Sequence, residues 1–155
     1  MKSYLIVSSP VGDLTLTDSD GVLTGLSFGT VIPRDAVKQV TPLLSDTKTQ
    51  LDEYFNGTRK TFRLPLPKDA SSEFSTKIRQ FLLSVPYGKT ATYSDAAAFA
   101  GNPKAVRAAG RAIGDNPVAI IIPCHRIIGK NGNLTGFNGG LDIKRSLLAL
   151  EKMYF

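Results

Sequence analysis

At 155 residues, 42% of them apolar, the chain has room for one compact domain or two small ones and is too evenly mixed for a disordered or fibrous protein. No apolar run approaches the roughly 20 residues a membrane-spanning helix needs, and Met1–Val7 has too short an apolar core for a signal peptide and no clear small-residue cleavage site. A single cysteine excludes an internal disulfide and suits a reducing, cytoplasmic setting; with one histidine it cannot build a Cys/His zinc site, so no metal and no cofactor are expected. The net charge of +6 is unevenly placed. Residues 1–68 carry 8 Lys/Arg against 7 Asp/Glu, residues 69–155 carry 11 against 6. The basic excess shares a half with the cysteine, which suits a polyanion such as DNA, although many basic surfaces are merely solvated.

In chain order, residues 3–8, 13–18 and 22–28 read as short strands, with turns at Pro10-Val11-Gly12 and Ser19-Asp20-Gly21. Leu14 and Leu16 alternate with Thr15 and Thr17, as in a half-buried antiparallel strand. A helix is predicted over 43–55, ended by Asn56-Gly57. Thr61–Leu64 reads as one more strand. Pro65–Pro67 marks a boundary, giving domains 1–68 and 69–155. Beyond it Ser72 can cap a helix with Phe74, Ile78, Phe81, Leu82 and Val85 as its apolar stripe. Thr92–Asp95 fits a capping box before a short alanine-rich helix that Gly101 ends. Asn102 is placed as the next cap with Pro103 at the first helical position, the helix running to about Ile113.

Two short helices so punctuated suggest a helix-turn-helix, ordinary helical packing being the alternative. Lys104, Arg107 and Arg111 would share one face of the second helix. Ala105, Ala108, Ala109 and Gly110 make it slim, which suits either a minor groove or close packing on the core. Arg126–Gly129 and Leu134–Phe137 are predicted as a strand pair about Asn131-Gly132, completing a winged helix-turn-helix. Asp142–Tyr154 is predicted helical, with Glu151 on its apolar side. A carboxylate there either pairs, with His125 as the expected partner, or sits at the stripe's edge and reaches water.

Asn116–Gly129, NPVAIIIPCHRIIG, holds the only cysteine and the only histidine, side by side. Val118–Ile122 reads as a buried extended run stopped by Pro123, delivering Cys124, His125 and Arg126 at its surface-facing end. A lone thiol is most often a small buried hydrophobe. Beside a base and a cation it has the makings of an activated nucleophile. On an extended strand adjacent side chains point oppositely, so a water would have to link Cys124 to His125. Glu151 would hold the imidazole tautomer, as the orienting member of a triad.

Pro123-Cys124-His125-Arg126 after Asn116-Pro117 resembles the active-site motif of the O6-alkylguanine-DNA alkyltransferases. The likeness extends to Pro86-Tyr87-Gly88, Tyr93-Ser94, Ala100-Gly101-Asn102-Pro103, Gly139-Gly140-Leu141 and Glu151, in the family's order. It implies an α+β two-domain fold: a small ribonuclease H-like α/β domain without nuclease activity, then a winged helix-turn-helix domain. It implies irreversible, single-turnover transfer of the alkyl group from O6-alkylguanine in double-stranded DNA to Cys124, with O4-alkylthymine left open. The nucleotide is extruded from the stack, because an enzyme that works on a base must take it out of the duplex.

The resemblance further assigns Arg107 to the vacated stack and Tyr93 to the 3′ phosphate and guanine N3. Asn116 braces the active-site turn. Carbonyls of Cys124 and Ile127 read the exocyclic amine, the N–H of Asn138 meets O6, and Phe137 and Gly139 line the pocket. Ser94, Asn102 and Lys130 face phosphates, Lys130 standing where serine is common and Phe137 where tyrosine is, and Lys104 joins the DNA-binding set from its place on the helix face. Binding from the minor groove by a monomer is expected. Two rivals are a lesion-sensing alkyltransferase-like protein, which carries tryptophan at the cysteine position where this chain has no tryptophan, and a cysteine hydrolase, for which no glycine-rich oxyanion loop is visible.

Overall fold

In the computed structural model, which describes residues 1–155, the Leu/Thr alternation at 14–17 becomes an inner strand of a four-stranded sheet. Strands β1 (Lys2–Val7), β2 (Leu14–Ser19) and β3 (Val22–Phe28) run antiparallel, and β4 (Ala36–Lys38) pairs parallel with β1, giving the order β3-β2-β1-β4. Asp20 and Gly21 both have positive φ, as a two-residue hairpin loop of the twist-matched kind requires. Helix α1 (Pro42–Phe55) packs on β1–β3, burying Leu44, Leu51 and Tyr54 along with Leu14, Leu16, Leu23 and Leu26. Thr41 caps it by accepting from the Leu44 N–H at 3.0 Å, and its hydroxyl donates to Asp18 Oδ2 at 2.5 Å, beside a register shift in β2. Thr61–Leu64 forms no strand: the Arg63 backbone is held by the Gln50 side chain, whose Nε2 and Oε1 meet the Arg63 carbonyl (3.1 Å) and N–H (2.9 Å). Strand β4 is only three residues long and largely exposed, so no alternation announces it.

The chain divides into two units, Met1–Pro67 with Pro117–Ala119, and Lys68–Asn116 with Ile120–Phe155. In the first, Leu26 donates to the Pro117 carbonyl (2.9 Å) and accepts from Ala119 (3.2 Å), so Val118 bridges to the edge of β3. The expected extended run Val118–Ile122 thus shrinks to one bridge residue. The chain then turns, with Ile120 at φ 71, a conformation uncommon for a β-branched residue.

The second unit begins with α2 (Glu73–Ser84), capped by Ser72, whose Oγ accepts from Ser75 N at 3.0 Å. Next come β5 (Ala91–Thr92), α3 (Tyr93–Phe99) behind the expected Thr92–Asp95 capping box, and α4 (Val106–Gly114). Helices α2, α3 and α4 pack on one another. Helix α4 starts later than predicted. Asn102–Ala105 is a turn closed by Ala105 N to Asn102 O at 2.9 Å, and neither Asn102 nor any other side chain caps the helix. Proline suits the second position of such a turn as well as the first of a helix, hence the misreading. Lys104 therefore precedes α4.

Strand β6 (Ile127–Ile128) pairs parallel with β5, Ala91 opposite Ile127 and Thr92 opposite Ile128. The predicted hairpin is absent: a turn at 129–133 closes on Gly129 N to Asn133 O (2.7 Å), and Leu134–Phe137 is loop. The wing is thus a short parallel pair with a loop, because Ile127, wholly buried, finds its partner strand far upstream. Helix α5 (Leu141–Met153) closes the unit. No helix is long and apolar enough to cross a membrane.

Candidate active site

Cys124, His125 and Arg126 form one turn of 3-10 helix after Pro123, with Arg126 N bonded to Pro123 O at 3.1 Å. The sequence predicts them extended and at a surface-facing end; they are neither, with exposures of 8%, 0% and 6%. At three residues per turn, neighbouring side chains diverge by about 120° rather than pointing oppositely. The turn is held from behind: Ile122 O accepts from Cys124 N (2.8 Å) and from Asn116 Nδ2 (2.8 Å).

Glu151, 1% exposed on α5, is the focus of the buried charges. Its Oε2 meets His125 Nε2 at 2.6 Å and Arg126 Nη2 at 3.1 Å; its Oε1 accepts from Arg126 Nε at 2.9 Å and from the Gly88 N–H at 3.1 Å. Arg126 Nη1 also donates to Val85 O at 2.8 Å. Burial pushes the Glu151 carboxyl up, but the hydrogen bond and charge of His125, then those of Arg126, outweigh it and hold it at about 2. Burial holds His125 below its ordinary value, against the opposing bond to Glu151. At neutral pH the imidazole is therefore uncharged, and Arg126 is the standing cation on Glu151. With Nε2 carrying the proton toward the carboxylate, His125 Nδ1, buried with no hydrogen-bond partner, is the free acceptor.

Burial raises the Cys124 thiol; a hydrogen bond with the Asn116 side chain and the charge of Lys144 pull it back. Lys144, on α5 and 1% exposed, donates from Nζ to Thr135 O at 3.1 Å and lies 5.9 Å from the Tyr93 ring centroid and 6.0 Å from that of Phe137. Burial lowers its own ionisation, opposed by Cys124. Tyr93, opening α3, donates its hydroxyl to the same Thr135 carbonyl at 3.3 Å, and Asn138 Nδ2 reaches Gly114 O, the last residue of α4, at 2.6 Å. Loop 129–140, which carries Phe137, Asn138 and Gly139, is thus tied to both helices of the helix-turn-helix.

On the outer side Ser94, Asn102, Lys104, Arg107, Arg111 and Lys130 are all exposed. Arg107 and Arg111 share a face of α4, four residues apart, with Lys104 in the turn before it. The small residues are divided in use: Ala109 is fully buried while Ala108 is exposed.

A buried free thiol, an imidazole held by a buried carboxylate and a basic helix face stand beside what comparison with known proteins finds. The family model "6-O-methylguanine DNA methyltransferase, DNA binding domain" matches residues 73–153, and "6-O-methylguanine DNA methyltransferase, ribonuclease-like domain" matches residues 2–68. The constitutive methylated-DNA–protein-cysteine methyltransferase of Bacillus subtilis is 40% identical over 163 residues, covering 100% of this chain and 98% of its own. That of Mycolicibacterium paratuberculosis is 42% identical, covering 99% and 94%. A crystal structure of Mycobacterium tuberculosis OGT in complex with DNA superimposes with a TM-score of 0.91 at 39% identity, covering 98% of this chain and 94% of that one. The chain belongs to the methylated-DNA–protein-cysteine methyltransferase family. Its fold is accordingly a ribonuclease-like domain followed by a DNA-binding, winged helix-turn-helix domain.

Among the residues of this methyltransferase fold, sequence reasoning overlooked Lys144 and gave Arg126 no partner. Lys144 had a readable signal: it falls three residues before Leu147 and seven before Glu151, on the same buried stripe of α5. Gly88 had none, because it acts through a backbone N–H.

Proposed function

We propose that the protein repairs O6-alkylguanine in double-stranded DNA by transferring the alkyl group to Cys124 Sγ, each molecule acting once. The observation that carries the reading is the buried His125–Glu151 pair, which leaves imidazole Nδ1 as an acceptor on the residue next in sequence to the protein's only thiol. A thiol that burial keeps protonated needs a base at the moment of attack. His125 takes the Cys124 proton, through a water if the two groups do not meet directly. Glu151 and Arg126 then stabilise the imidazolium. The sulfur–carbon bond forms as the carbon–O6 bond breaks, and the purine leaves with the electron pair. Tyr93, its hydroxyl transferred from Thr135 O to guanine N3, eases that departure. Lys144 and Asn116 favour the developing thiolate.

Base extrusion precedes all of this, and it costs a few kcal/mol for a paired base. Arg107, exposed on α4, fills the vacated stack from the minor groove, while Ser94, Asn102, Lys104 and Lys130 contact phosphates. Ile127, Phe137, Asn138 and Gly139 bound the pocket that receives the base. The protein works as a monomer in the cytoplasm, where a lone thiol stays reduced.

Intact-mass measurement after incubation with an O6-methylguanine duplex tests the reading. Wild type should gain one methyl group per molecule and then stop, and Cys124→Ser should bind the duplex and gain nothing. No mass change in folded wild type would mean a lesion sensor, and product in excess of protein would mean a hydrolase.

A further inference from the structure

Glu151 receives four donors, and three belong to two side chains of the Cys-His-Arg turn; the fourth is the backbone N–H of Gly88. That N–H lies in the α2–β5 turn, which the cluster grips twice more. Arg126 donates to Val85 O, and the Arg126 guanidinium lies 5.7 Å from the Tyr87 ring centroid. Gly88 itself, at φ 77, is covered from outside by the aromatic ring of Phe155, two residues beyond α5. A Cβ at Gly88 would overlap that ring. Lys89 Nζ lies 4.6 Å from the ring centroid on the same turn. Phe155 keeps 63% exposure, so its ring lies over Gly88 as an outer cover and not as a core residue.

We propose that Phe155 is a positioning residue for the proposed His125–Glu151 pair: its ring seals the Gly88 N–H to Glu151 Oε1 bond from water and so holds the carboxylate against the imidazole. The inference rests on the catalytic reading of that pair given above. Without the ring, water competes for Oε1 and the carboxylate can rotate, loosening its grip on Nε2. The α2–β5 turn runs directly into β5 and then Tyr93, so the same cover also steadies the entry to the helix-turn-helix.

The sign of the effect follows from the groups around the imidazole. Glu151 and Lys144, both on α5, and Arg126 of its own turn act on it directly, and Tyr87 of the α2–β5 turn, with Tyr154, acts on the same Glu151 and Arg126. Burial is the largest influence on His125 and disfavours its charged form. Admitting water relaxes that influence, and the looser Glu151 bond works against it; burial being the larger of the two, the imidazole should protonate at a higher pH in the absence of the ring.

Because His125 is the only histidine, its ring nitrogens can be followed without ambiguity. The test is long-range ¹⁵N–¹H spectra of the imidazole across a pH series, with single-turnover methyl transfer from an O6-methylguanine duplex over the same range, for wild type, Phe155→Ala and Phe155→Trp. Phe155→Ala should move the imidazole titration and the acidic limb of the rate profile upward together. It should slow transfer by about tenfold at neutral pH, less than the 10²–10⁴-fold a general base supplies; Phe155→Trp should restore both. An imidazole titration unchanged in folded Phe155→Ala, whatever the rate, overturns the proposal, as does a change that Phe155→Trp fails to rescue. If the titration moves and the rate profile does not, the positioning contact stands and the catalytic assignment of His125 falls instead.

Discussion

The two units bury polar groups in opposite ways. In the first, the buried polar residues Ser3, Thr15, Asp18, Thr47 and Gln50 include one ionisable group, and each is hydrogen-bonded: Thr47 Oγ1 to Leu43 O (2.8 Å), Thr15 Oγ1 to Gly29 O (2.7 Å), Asp18 with Thr41. In the second, every buried polar residue is ionisable: His125, Arg126, Lys144 and Glu151. Neutral hydrogen-bonded groups satisfy a fold at little net gain or loss. Desolvated ions cost several kcal/mol each and repay that only where geometry is excellent. Four of them lie in the turn that carries the lone thiol or on the helix packed against it, a concentration that fits the proposed site better than a stabilising role.

The contrast can be broken most sharply at Arg126. Replacing it with Met should destabilise the protein by about 3–5 kcal/mol, since removing one partner leaves a buried charge uncompensated. Urea denaturation followed by circular dichroism measures it. A smaller effect should appear on acidification. A group held below its unfolded value contributes stability that is lost as pH falls from the unfolded value toward the folded one. His125 therefore starts to withdraw stability below roughly pH 6.5, and Glu151 withdraws more as pH falls from its ordinary range toward its folded value of about 2. Thermal melts between neutral and acid pH should show both losses, and Glu151→Gln should abolish the lower one. The smallest effect belongs to the first unit: Thr47→Val, removing one neutral hydroxyl from a fully buried site, should cost only about 0.5–1.5 kcal/mol with no pH dependence. Equal costs for Arg126→Met and Thr47→Val would erase the distinction between the units.

Legibility from sequence followed the range of the interactions. The three antiparallel strands, α1, α2 and the α3 capping box were readable because alternation, caps and turn residues lie within a few positions of one another. The pairing of His125 with Glu151 was readable for a different reason: a single imidazole leaves few combinations, and a carboxylate on an apolar helix face asks for a partner. The Asn102-Pro103 pair misled because one local chemistry serves both a helix start and a tight turn.

What the sequence determined by itself was the set of local periods and punctuation, the uneven charge, and the inventory of reactive groups. Tertiary structure decided the rest. Strand β4 exists because β1 offers it an edge, and Val118 bridges to β3 instead of opening a strand. Ile127 pairs with Ala91, not with the segment after the Asn-Gly turn. Arg126 turns inward because a buried carboxylate 25 residues away needs a cation, His125 being neutral. Each of these depends on a partner far along the chain, and the free energy of such a contact is not written in either segment alone; it arises only when the fold has removed both from water.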